Sequence, residues 1–415
     1  MTAATGATGW PSPDDFAPPP SAADRERWRE ADRAARPARI ARVRARFAAA
    51  GVDAFFGLRP ETSRYLSGFA LGDCEDRVAG NSGQLLVSAD EVVLFADSRY
   101  DVQAHREAPD ARVATVYGDL PARWPDLCGS IGARRVAVEA AAIPKAVWDR
   151  LEAAGRPAGI ELVPVEGWLE ADRATKEPAE IERVAASCAI ADGALAALLP
   201  EIRPGCTERE LALRLEWLMR TRGADALAFD VACLFGPEAA LPHGSPGDRP
   251  IAPGSVLLFD FGAQVDGYRS DMTRTLFVGE PSAIDLSLYE LVARAQAAAM
   301  AAVSTAVEGN ARPLPSGRAI DAVARQVVEA SGYGPRFGHG TGHGIGLATH
   351  EEPRLSRTAT EDVPLPSPTV FSIEPGVYLE GETGVRIEDL VAIDAEAHAA
   401  RVLTRFPREI LVVGV

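Results

Sequence analysis

Three of the six histidines in this 415-residue chain lie in one glycine-rich stretch, GHGTGHGIGLATHEEP, which spans positions 338–353. They are His339, His343 and His350. The glycine spacing does not satisfy the dinucleotide-binding pattern GxGxxG, and the sequence contains neither a GxxxxGK(S/T) phosphate loop nor an HExxH zinc motif. The stretch therefore indicates metal or catalytic chemistry rather than nucleotide binding. Its five glycines would let the backbone pass close to a metal and a substrate and turn sharply between the histidines.

Two carboxylates are predicted to meet on a β-hairpin. Asp260 interrupts the apolar strand pattern SVLLFDFG, and Asp271 lies on the strand that follows. A turn at 265–266 would set Asp260 opposite Asp271, whereas a turn at 266–267 would set it opposite Thr273 with Asp271 diagonal to it. Either register puts both aspartates on one face, about 5 to 8 Å apart. Carboxylates this close repel each other unless a cation or a proton lies between them.

A second pair of acids repeats this arrangement near the C-terminus. Glu374 ends the apolar pattern TVFSIE, and Glu388 lies in GVRIEDLV, with a glycine-containing turn between the two strands. Their even separation permits one face for both side chains. Each acid alone would more often pair with an arginine, but four acids with three histidines favour a metal site. Oxygen-rich sites with an imidazole suit Mn²⁺, Co²⁺ or Zn²⁺, and shared carboxylates suit two ions about 3.5 to 4 Å apart.

Composition and charge exclude several classes of protein. The hydrophobic content of 47% and charged content of 25% are ordinary for a soluble protein, and a net charge of −16 disfavours nucleic-acid binding. No leader opens the chain, and the longest weakly polar run, Ala293 to Val307, is too short to span a membrane. We therefore expect a cytoplasmic protein without membrane contact. No CxxC pair suggests zinc or a redox couple among the five cysteines, Cys74, Cys128, Cys188, Cys206 and Cys233.

Three regions are predicted along the chain. Residues 1–36 form a flexible tail and the start of a first helix, residues 37–168 an N-terminal α/β domain, and residues 169–415 a catalytic α+β domain. The first helix would run from Ser21 toward Ala50, either as a core element or as an arm that touches a partner subunit. In the α/β domain, short apolar runs predict strands at 54–56, 84–87, 92–95, 135–138 and 161–163. In the catalytic domain, helices are predicted to begin at Pro178, Thr207, Ile284 and Arg318.

Four ordered segments, LLFDFGAQVDGYRSDMTRT, GHGTGHGIGLATHEEP, SIEPGVYL and GVRIEDL, together resemble the pita-bread metallopeptidases. These include methionine aminopeptidase, aminopeptidase P and prolidase, with creatinase as a relative that lacks the metal. The resemblance covers residues from about 175 to 415. Through RYLSGF and LFADSRYDVQA, the first domain is similar to the N-terminal domain of the aminopeptidase P, prolidase and creatinase branch. The resemblance implies an α+β pita-bread catalytic domain, a smaller α/β N-terminal domain and specificity for proline.

The same resemblance implies a set of five metal ligands. Asp260 would bind one ion, Asp271 and Glu388 would bridge both ions, and His343 and Glu374 would complete the two coordination shells. Glu374 would also carry the proton of the attacking water.

Other residues take substrate-side roles by the same resemblance. His350 would stabilise the tetrahedral oxyanion, and His243 and His339 would contact the substrate. Arg386 would hold the site together by hydrogen bonding or form a plain surface salt bridge. Arg354 would bind the carboxylate of the substrate or pair with a neighbouring glutamate, Glu351 or Glu352.

The implied activity is hydrolysis of the Xaa-Pro bond in small proline-containing peptides, with two divalent ions, Mn²⁺ first and Co²⁺ or Zn²⁺ as alternatives. Arg354 favours a Xaa-Pro dipeptidase. An aminopeptidase P that acts on longer peptides is the alternative. A further alternative is a non-peptidase of this fold, either a creatinase-like C–N hydrolase or a partner-binding protein. The resemblance also implies a homodimer.

Overall fold

A computed structural model describes residues 9–72, 75, 79–359 and 362–414. The chain divides into two compact units. The N-terminal unit comprises residues 26–172, and the C-terminal unit comprises residues 1–25 together with 173–415. This division lies in the helix Trp168–Ala174. The division predicted from the sequence, between residues 168 and 169, lies in the same helix. Cys74 lies outside the described residues, and the four described cysteines form no disulfide.

The N-terminal unit is built on a six-stranded mixed sheet with helices beside it. The sheet order is β4-β3-β2-β1-β5-β6; β1 pairs antiparallel with β2, as β2 does with β3, and the other pairs are parallel. Its strands are β1 (Ala54–Gly57), β2 (Leu85–Ser88), β3 (Val92–Ala96), β4 (Arg112–Thr115), β5 (Arg135–Glu139) and β6 (Glu161–Val165). Its helices are α1 (Ala22–Ala45), α2 (Phe47–Ala50), α3 (Pro60–Ser67), α4 (Asp101–Glu107), α5 (Leu120–Ser130), α6 (Lys145–Gly155) and α7 (Trp168–Ala174).

Apolar side chains explain why this sheet forms. All residues of β1, β2 and β3 are buried, as expected for continuous apolar runs, and Phe56 lies 5.0 Å from Trp124 and 6.0 Å from Phe95 between ring centroids. Five of the six strands lie at the predicted positions. The sequence did not predict β4, because its mainly exposed residues form no apolar run.

The N-terminal segment differs from the predicted tail in its described part. Ser12 caps a short 3-10 helix at Pro13–Asp15, and the ring of Phe16 is buried and stacks on Phe406 at 6.5 Å. This apolar contact holds residues 13–16 in the C-terminal unit. The first helix is interrupted at Arg46, between α1 and α2, and ends at Gly51, whose φ of 62° is left-handed.

The C-terminal unit combines helices with several small sheets. Its helices are α8 (Pro178–Leu198), α9 (Glu208–Thr221), α10 (Ala283–Glu308) and α11 (Gly317–Ala330). The strands before α10 are β7 (Ala226–Leu227), β8 (Ala232–Phe235), β9 (Ser255–Phe261), β10 (Ala263–Val265), β11 (Tyr268–Arg269) and β12 (Met272–Val278). Those after α11 are β13 (Gly342–Gly344), β14 (Glu351–Leu355), β15 (Thr369–Ile373), β16 (Gly376–Leu379), β17 (Thr383–Arg386), β18 (Asp389–Asp394), β19 (Ala399–Val402) and β20 (Val412–Val413).

Two sheets of this unit carry the acids and the histidine stretch. One has the order β20-β12-β9-β8, and the other has the order β14-β13-β15-β18-β19. Helix α10 packs against the second sheet, and its Tyr289 contacts Phe277 of the first sheet at 5.4 Å between ring centroids. The helix carries a buried apolar stripe at spacings of three and four residues. Each buried leucine or valine of this stripe contributes about 1.5 to 3 kcal/mol relative to an exposed one. The stripe consists of Leu288, Leu291, Val292, Ala295, Ala299 and Val303.

Helix α8 begins where the sequence predicts it. Pro178 occupies its first turn, and Glu177 and Glu180 form a capping box. The segment Pro178–Glu201 is the one described helix long and apolar enough to cross a membrane, and 67% of its most apolar window is buried inside the protein. The expectation that Ala293 to Val307 is the longest weakly polar run was therefore wrong. A mostly buried helix of this kind is also what the core of a globular unit requires.

Candidate metal centre

The first hairpin adopts the second of its two predicted registers. Thr273 pairs with Asp260, and the turn at Asp266-Gly267 has φ values of 49° and 85°. Asp271, two residues before Thr273, therefore lies diagonal to Asp260, and both acids line one cleft of about 1460 Å³. A turn with two left-handed residues suits Asp-Gly, which explains this choice of register.

The positions of the second pair of acids follow from two strand pairs, β15 with β18 and β16 with β17, which share one register. Ile373 pairs with Asp389 in one ladder, and Gly376 pairs with Arg386 in the other. The register places Glu374 opposite Glu388 at the point where the chain passes from one ladder to the next. The hydroxyl of Thr273 donates to Glu388 Oε2 at 2.8 Å, which joins the two hairpins.

His343 lies on β13, between β14 and β15. Its Nε2 is 3.2 Å from Glu374 Oε1 and 3.7 Å from Asp271 Oδ2, and its Nδ1 is 3.0 Å from the carbonyl oxygen of Gly344. A proton on Nδ1 donates to that carbonyl and leaves Nε2 facing the acids, the arrangement that metal-binding histidines use. Ligand atoms of Asp271, His343 and Glu388 all lie within 4.8 Å of one another.

The glycines beside His343 have a different role from the one expected. None of the five glycines from 338 to 346 has a positive φ. A Cβ on Gly342 would lie 1.9 Å from the carbonyl oxygen of Ser372, and one on Gly344 would lie 2.0 Å from that of Glu352. The expected sharp turn lies after this strand, where the chain bends at 346–350 between His343 and His350. These two glycines instead allow the neighbouring backbones to approach β13 closely.

Electrostatics show that the acid cluster has more negative charge than its neighbouring cations compensate. Burial and then the charge of Glu388 raise the pKa of Asp271 well above its ordinary value, and burial and then the charge of Glu374 do the same to the pKa of Glu388. Burial also raises the pKa of Asp260. Among the described side chains, Asp260 Oδ1 and Glu388 Oε1 are buried without a hydrogen-bond partner. Two unsatisfied buried carboxylate oxygens in one cluster fit a site for cations.

Glu374 is the exception, because it contacts His343 directly. Burial disfavours its charge, but the hydrogen bond and the charge of His343 outweigh burial and lower the pKa of Glu374 to about 2. The same contact outweighs burial for His343 and raises its pKa. When it is protonated, the imidazole of His343 partly neutralises the acids.

Arg386 is buried at the base of the cleft and is not a surface salt bridge. Its Nη2 donates to Asp260 Oδ2 at 2.5 Å, its Nε to the Thr273 hydroxyl at 2.8 Å, and its Nη1 to the Tyr378 hydroxyl at 3.0 Å. The hydroxyl of Tyr378 also lies 2.9 Å from His339 Nε2. Arg386 therefore holds a candidate ligand by hydrogen bonding, one of its two predicted roles.

His339 lines the cleft, but both of its ring nitrogens have partners in the protein. Nδ1 lies 2.7 Å from the carbonyl oxygen of Gly340, and Nε2 contacts Tyr378. Burial lowers the pKa of His339, so the ring is neutral near pH 7. Sequence reasoning did not identify Tyr378, although its even spacing from Glu374 and Gly376 was a usable signal.

His350 is exposed in the cleft, and its ring lies 4.3 Å from that of His343 between centroids. Partial burial and then the charge of His343 lower the pKa of His350 to about 4. Thr349 beside it accepts a hydrogen bond from Arg269 Nη1 at 3.1 Å. Glu351 on its other side contacts Arg173 and Lys176, two further residues that the sequence did not single out.

The other two predicted substrate residues, His243 and Arg354, also line the cleft. Arg354 is the strand partner of His343, so its side chain projects from the same face of the sheet. Its side chain is 46% exposed, and its Nε lies 4.0 Å from Glu352 Oε1, a weak ion pair. Pairing with Glu351 is not observed, because that acid binds Arg173 and Lys176.

The sequence profile of metallopeptidase family M24 matches residues 182–395, just over half of the chain. The chain belongs to metallopeptidase family M24. The creatinase/prolidase N-terminal domain matches residues 39–175. The predicted fold class, an α+β pita-bread catalytic domain with a smaller α/β N-terminal domain, is confirmed. This M24 peptidase uses divalent metal ions. The two non-peptidase alternatives, a creatinase-like C–N hydrolase and a partner-binding protein, are therefore set aside.

Similar proteins include both dipeptidases and an aminopeptidase. A protein of Pyrococcus furiosus named Xaa-Pro dipeptidase is 40% identical over 58% of this chain and 65% of its own length. A solved Xaa-Pro dipeptidase from Bacillus anthracis is 32% identical, with a TM-score of 0.80 over 90% of this chain and 99% of that one. A solved X-Pro aminopeptidase from Thermotoga maritima MSB8 is 34% identical, with a TM-score of 0.75 over 88% of this chain and 98% of that one.

Proposed function

We propose that this M24 peptidase is a Xaa-Pro dipeptidase that binds two divalent metal ions, with Mn²⁺ preferred over Co²⁺ and Zn²⁺. The observation that carries the proposal is one cleft that holds both a buried acid–imidazole cluster and, on the strand beside His343, an exposed arginine, Arg354. The cluster suits hydrolysis at a carbonyl, and the arginine suits the carboxylate at the end of a dipeptide.

The proposed ligands are those implied by the sequence, Asp260, Asp271, His343, Glu374 and Glu388. Their donor set of four carboxylates and one imidazole suits Mn²⁺ and related divalent ions. The unsatisfied oxygens of Asp260 and Glu388 and the raised pKa of Asp271 support this assignment, because each would be relieved by a nearby cation.

Bound metal ions would lower the pKa of a water molecule toward neutrality and polarise the scissile carbonyl. Glu374 accepts a proton from the attacking water and later passes it to the leaving nitrogen. The pKa of about 2 for Glu374 belongs to the arrangement in which protonated His343 donates to it. A neutral His343 removes that donor and leaves Glu374 a stronger base.

His350 stabilises the negative charge that develops on the carbonyl oxygen. Because its pKa is about 4, the imidazole is neutral at pH 7 and donates one N–H to that oxygen. Loss of one such donor typically costs about 3 kcal/mol of transition-state stabilisation.

Proline is recognised by shape, because its nitrogen carries no N–H and its ring restricts the residue before it. His243 lines the wall that receives the ring. His339 keeps its ring nitrogens bonded to Gly340 and Tyr378, so it presents ring carbon to the substrate. Arg354 binds the C-terminal carboxylate of the dipeptide.

Aminopeptidase P activity on longer peptides is the second candidate. Two observations favour it: the open cleft of about 1460 Å³ is larger than a two-residue peptide requires, and the similar aminopeptidase is as closely related as the similar dipeptidase structure.

Turnover of Ala-Pro and Ala-Pro-Ala by the Mn²⁺-loaded enzyme separates the two candidates. A dipeptidase cleaves Ala-Pro faster, and replacing Arg354 with Met raises the KM for Ala-Pro about tenfold or more, as expected for loss of a charged hydrogen bond. The same change leaves cleavage of Ala-Pro-Ala nearly unaltered. Faster cleavage of the tripeptide would instead support the aminopeptidase.

The metal assignment is tested by adding Mn²⁺, Co²⁺ or Zn²⁺ singly to chelator-treated enzyme. Asp271→Ala and Glu388→Ala are expected to abolish metal-dependent hydrolysis. Asp266→Asn is a matched control, because it removes a carboxylate at the tip of the same hairpin and outside the cleft. Activity retained in either alanine variant would contradict the assignment.

The predicted cytoplasmic location and homodimer are also proposals. The homodimer rests on the family resemblance alone, and sedimentation velocity of the purified chain tests it directly.

A further inference from the structure

A buried cluster of three charged side chains lies under the segment that carries His350. Glu351 Oε1 is 2.6 Å from Arg173 Nη2, and Glu351 Oε2 is 2.9 Å from Lys176 Nζ. The three side chains are 2%, 5% and 1% exposed, in the order glutamate, arginine and lysine. Burial of three charges is costly unless their geometry is good, so the cluster requires an explanation beyond filling space.

The carboxylate of Glu351 also closes the turn before His350. Its Oε1 accepts a hydrogen bond from the backbone N–H of Ala348 at 2.9 Å. A Cβ on Gly346 would lie 2.9 Å from Glu351 Oε2 and 3.1 Å from Lys176 Cε, so the cluster packs directly against the start of this turn. The turn from 346 to 350 therefore contacts the charged cluster directly, at Gly346 and at Ala348.

The cluster is itself attached to the sheet that bears His343. The backbone N–H of Lys176 donates to the carbonyl of Pro368 at 2.8 Å, and the hydroxyl of Thr369 donates to the carbonyl of Ala174 at 2.7 Å. Thr369 begins β15, the strand beside His343. Arg173 and Lys176 therefore present a fixed pair of cations to Glu351.

His350 itself has little else to hold it. Within the described parts of the chain, its ring nitrogens have no hydrogen-bond partner, and its close ring contact is with His343 at 4.3 Å. Because no hydrogen bond fixes the ring of His350, its position depends on the backbone that carries it. The backbone at 348–351 is in turn held by Glu351 on one side and, through the Thr349 hydroxyl, by Arg269 and the Ala228 carbonyl on the other.

We propose that Arg173, Lys176 and Glu351 are positioning residues for His350, fixing the turn that carries it and acting on hydrolysis only through it. This inference rests on the proposed function, in which His350 stabilises the reacting carbonyl oxygen. A purely structural cluster would instead affect the folded fraction or metal binding, and would slow hydrolysis whether or not His350 is present.

A double-mutant cycle with Lys176→Met and His350→Ala distinguishes these roles. Methionine keeps the apolar stem of Lys176 and leaves the Arg173–Glu351 pair in place. Lys176→Met is expected to lower kcat on Ala-Pro about tenfold, because a catalytic group is displaced, with KM changed less than about twofold. In the His350→Ala background, the same change is expected to alter kcat less than about twofold.

Two measurements test whether the variant keeps its fold and its metal site. Circular dichroism and calorimetric Mn²⁺ affinity of Lys176→Met should match the wild type. If this variant fails to fold, Arg173→Lys takes its place in the cycle. Lysine keeps the positive charge but lacks the guanidinium group that donates two hydrogen bonds to Glu351. Asp266→Asn is the matched control, since it removes the 2.7 Å ion pair with buried Arg183 in the same unit and should not alter kcat.

The outcomes separate the inference from the function on which it rests. If Lys176→Met and His350→Ala each lower kcat and the two factors multiply in the double variant, the positioning role alone is overturned. Reduced Mn²⁺ affinity in both cluster variants would also overturn it, since the cluster would then act on the metal centre. A His350→Ala variant that hydrolyses Ala-Pro at the wild-type rate would overturn the role of His350 in the proposed function and the inference with it.

Discussion

Stability in acid should depend on Glu351. Burial disfavours its charge, but Lys176 and then Arg173 outweigh burial and lower the pKa of Glu351 from the ordinary 4.5 to about 2. Because the folded pKa lies below the unfolded one, ionised Glu351 stabilises the fold fully above the unfolded pKa. This contribution is lost as the pH falls from about 4.5 through about 2. Glu351→Gln removes the charge at every pH and keeps the shape of the side chain.

The magnitude follows from the shift in pKa. Each pKa unit corresponds to 1.36 kcal/mol, so a fall from 4.5 to about 2 represents about 3 kcal/mol at pH 7. Loss of one partner from a buried ion pair typically costs 3 to 5 kcal/mol, which agrees with this value. The same linkage predicts that about half of the contribution remains at pH 3.

Urea denaturation of metal-free wild type and Glu351→Gln at pH 7, 5, 4 and 3 measures this contribution. The difference in free energy of unfolding between the two proteins should be about 3 kcal/mol at pH 7 and about half of that at pH 3. All other acids, including those of the metal cluster, are common to both proteins and cancel in the difference. A difference that stays constant or grows toward pH 3 would refute the reasoning.

Three further predictions concern the metal centre. Gly342→Ala forces β13 away from the Ser372 carbonyl and should weaken Mn²⁺ binding measured by calorimetry, whereas Gly338→Ala, where a Cβ meets nothing within 4 Å, should not. Arg386→Met leaves a candidate ligand without its hydrogen-bond donor and should lower Mn²⁺ affinity about 10- to 100-fold; unchanged affinity would contradict its role. Mn²⁺ should raise the melting temperature of the metal-free wild type, because it binds only the folded state, but not that of Asp271→Ala.

The acids of the site could be predicted because strand geometry is regular. A carboxylate inside an apolar strand must face either the core or a site, and a two-residue turn fixes the partner of every residue in the hairpin. The sequence left two registers open for Asp260. The choice was decided by Asp266 and Gly267, whose left-handed backbone favours the turn that sets Asp260 opposite Thr273.

The hydrogen-bond network around these acids could not be predicted in the same way. Tyr378 and Arg386 meet across a ladder, and Arg173 and Lys176 meet Glu351 from about 175 positions away along the chain. No local period of the sequence encodes such contacts, because they depend on how separate sheets and helices pack. The resemblance to a family identified the candidate ligands and Arg386, but not Tyr378, Arg173 or Lys176.

Only part of the role of the glycines in GHGTGHGIG followed from the sequence. The chain bends at 346–350, between His343 and His350, as their number suggested, but His343 itself lies in a strand, where Gly342 and Gly344 lie against carbonyl oxygens of neighbouring chain segments. In a strand, glycine is normally unfavourable, so two of them beside one histidine indicate that close backbone approach outweighs that cost. The close approach brings Nε2 of His343 within 3.2 Å of Glu374 and 3.7 Å of Asp271. A strand with larger residues at 342 and 344 would hold the same imidazole too far from both acids.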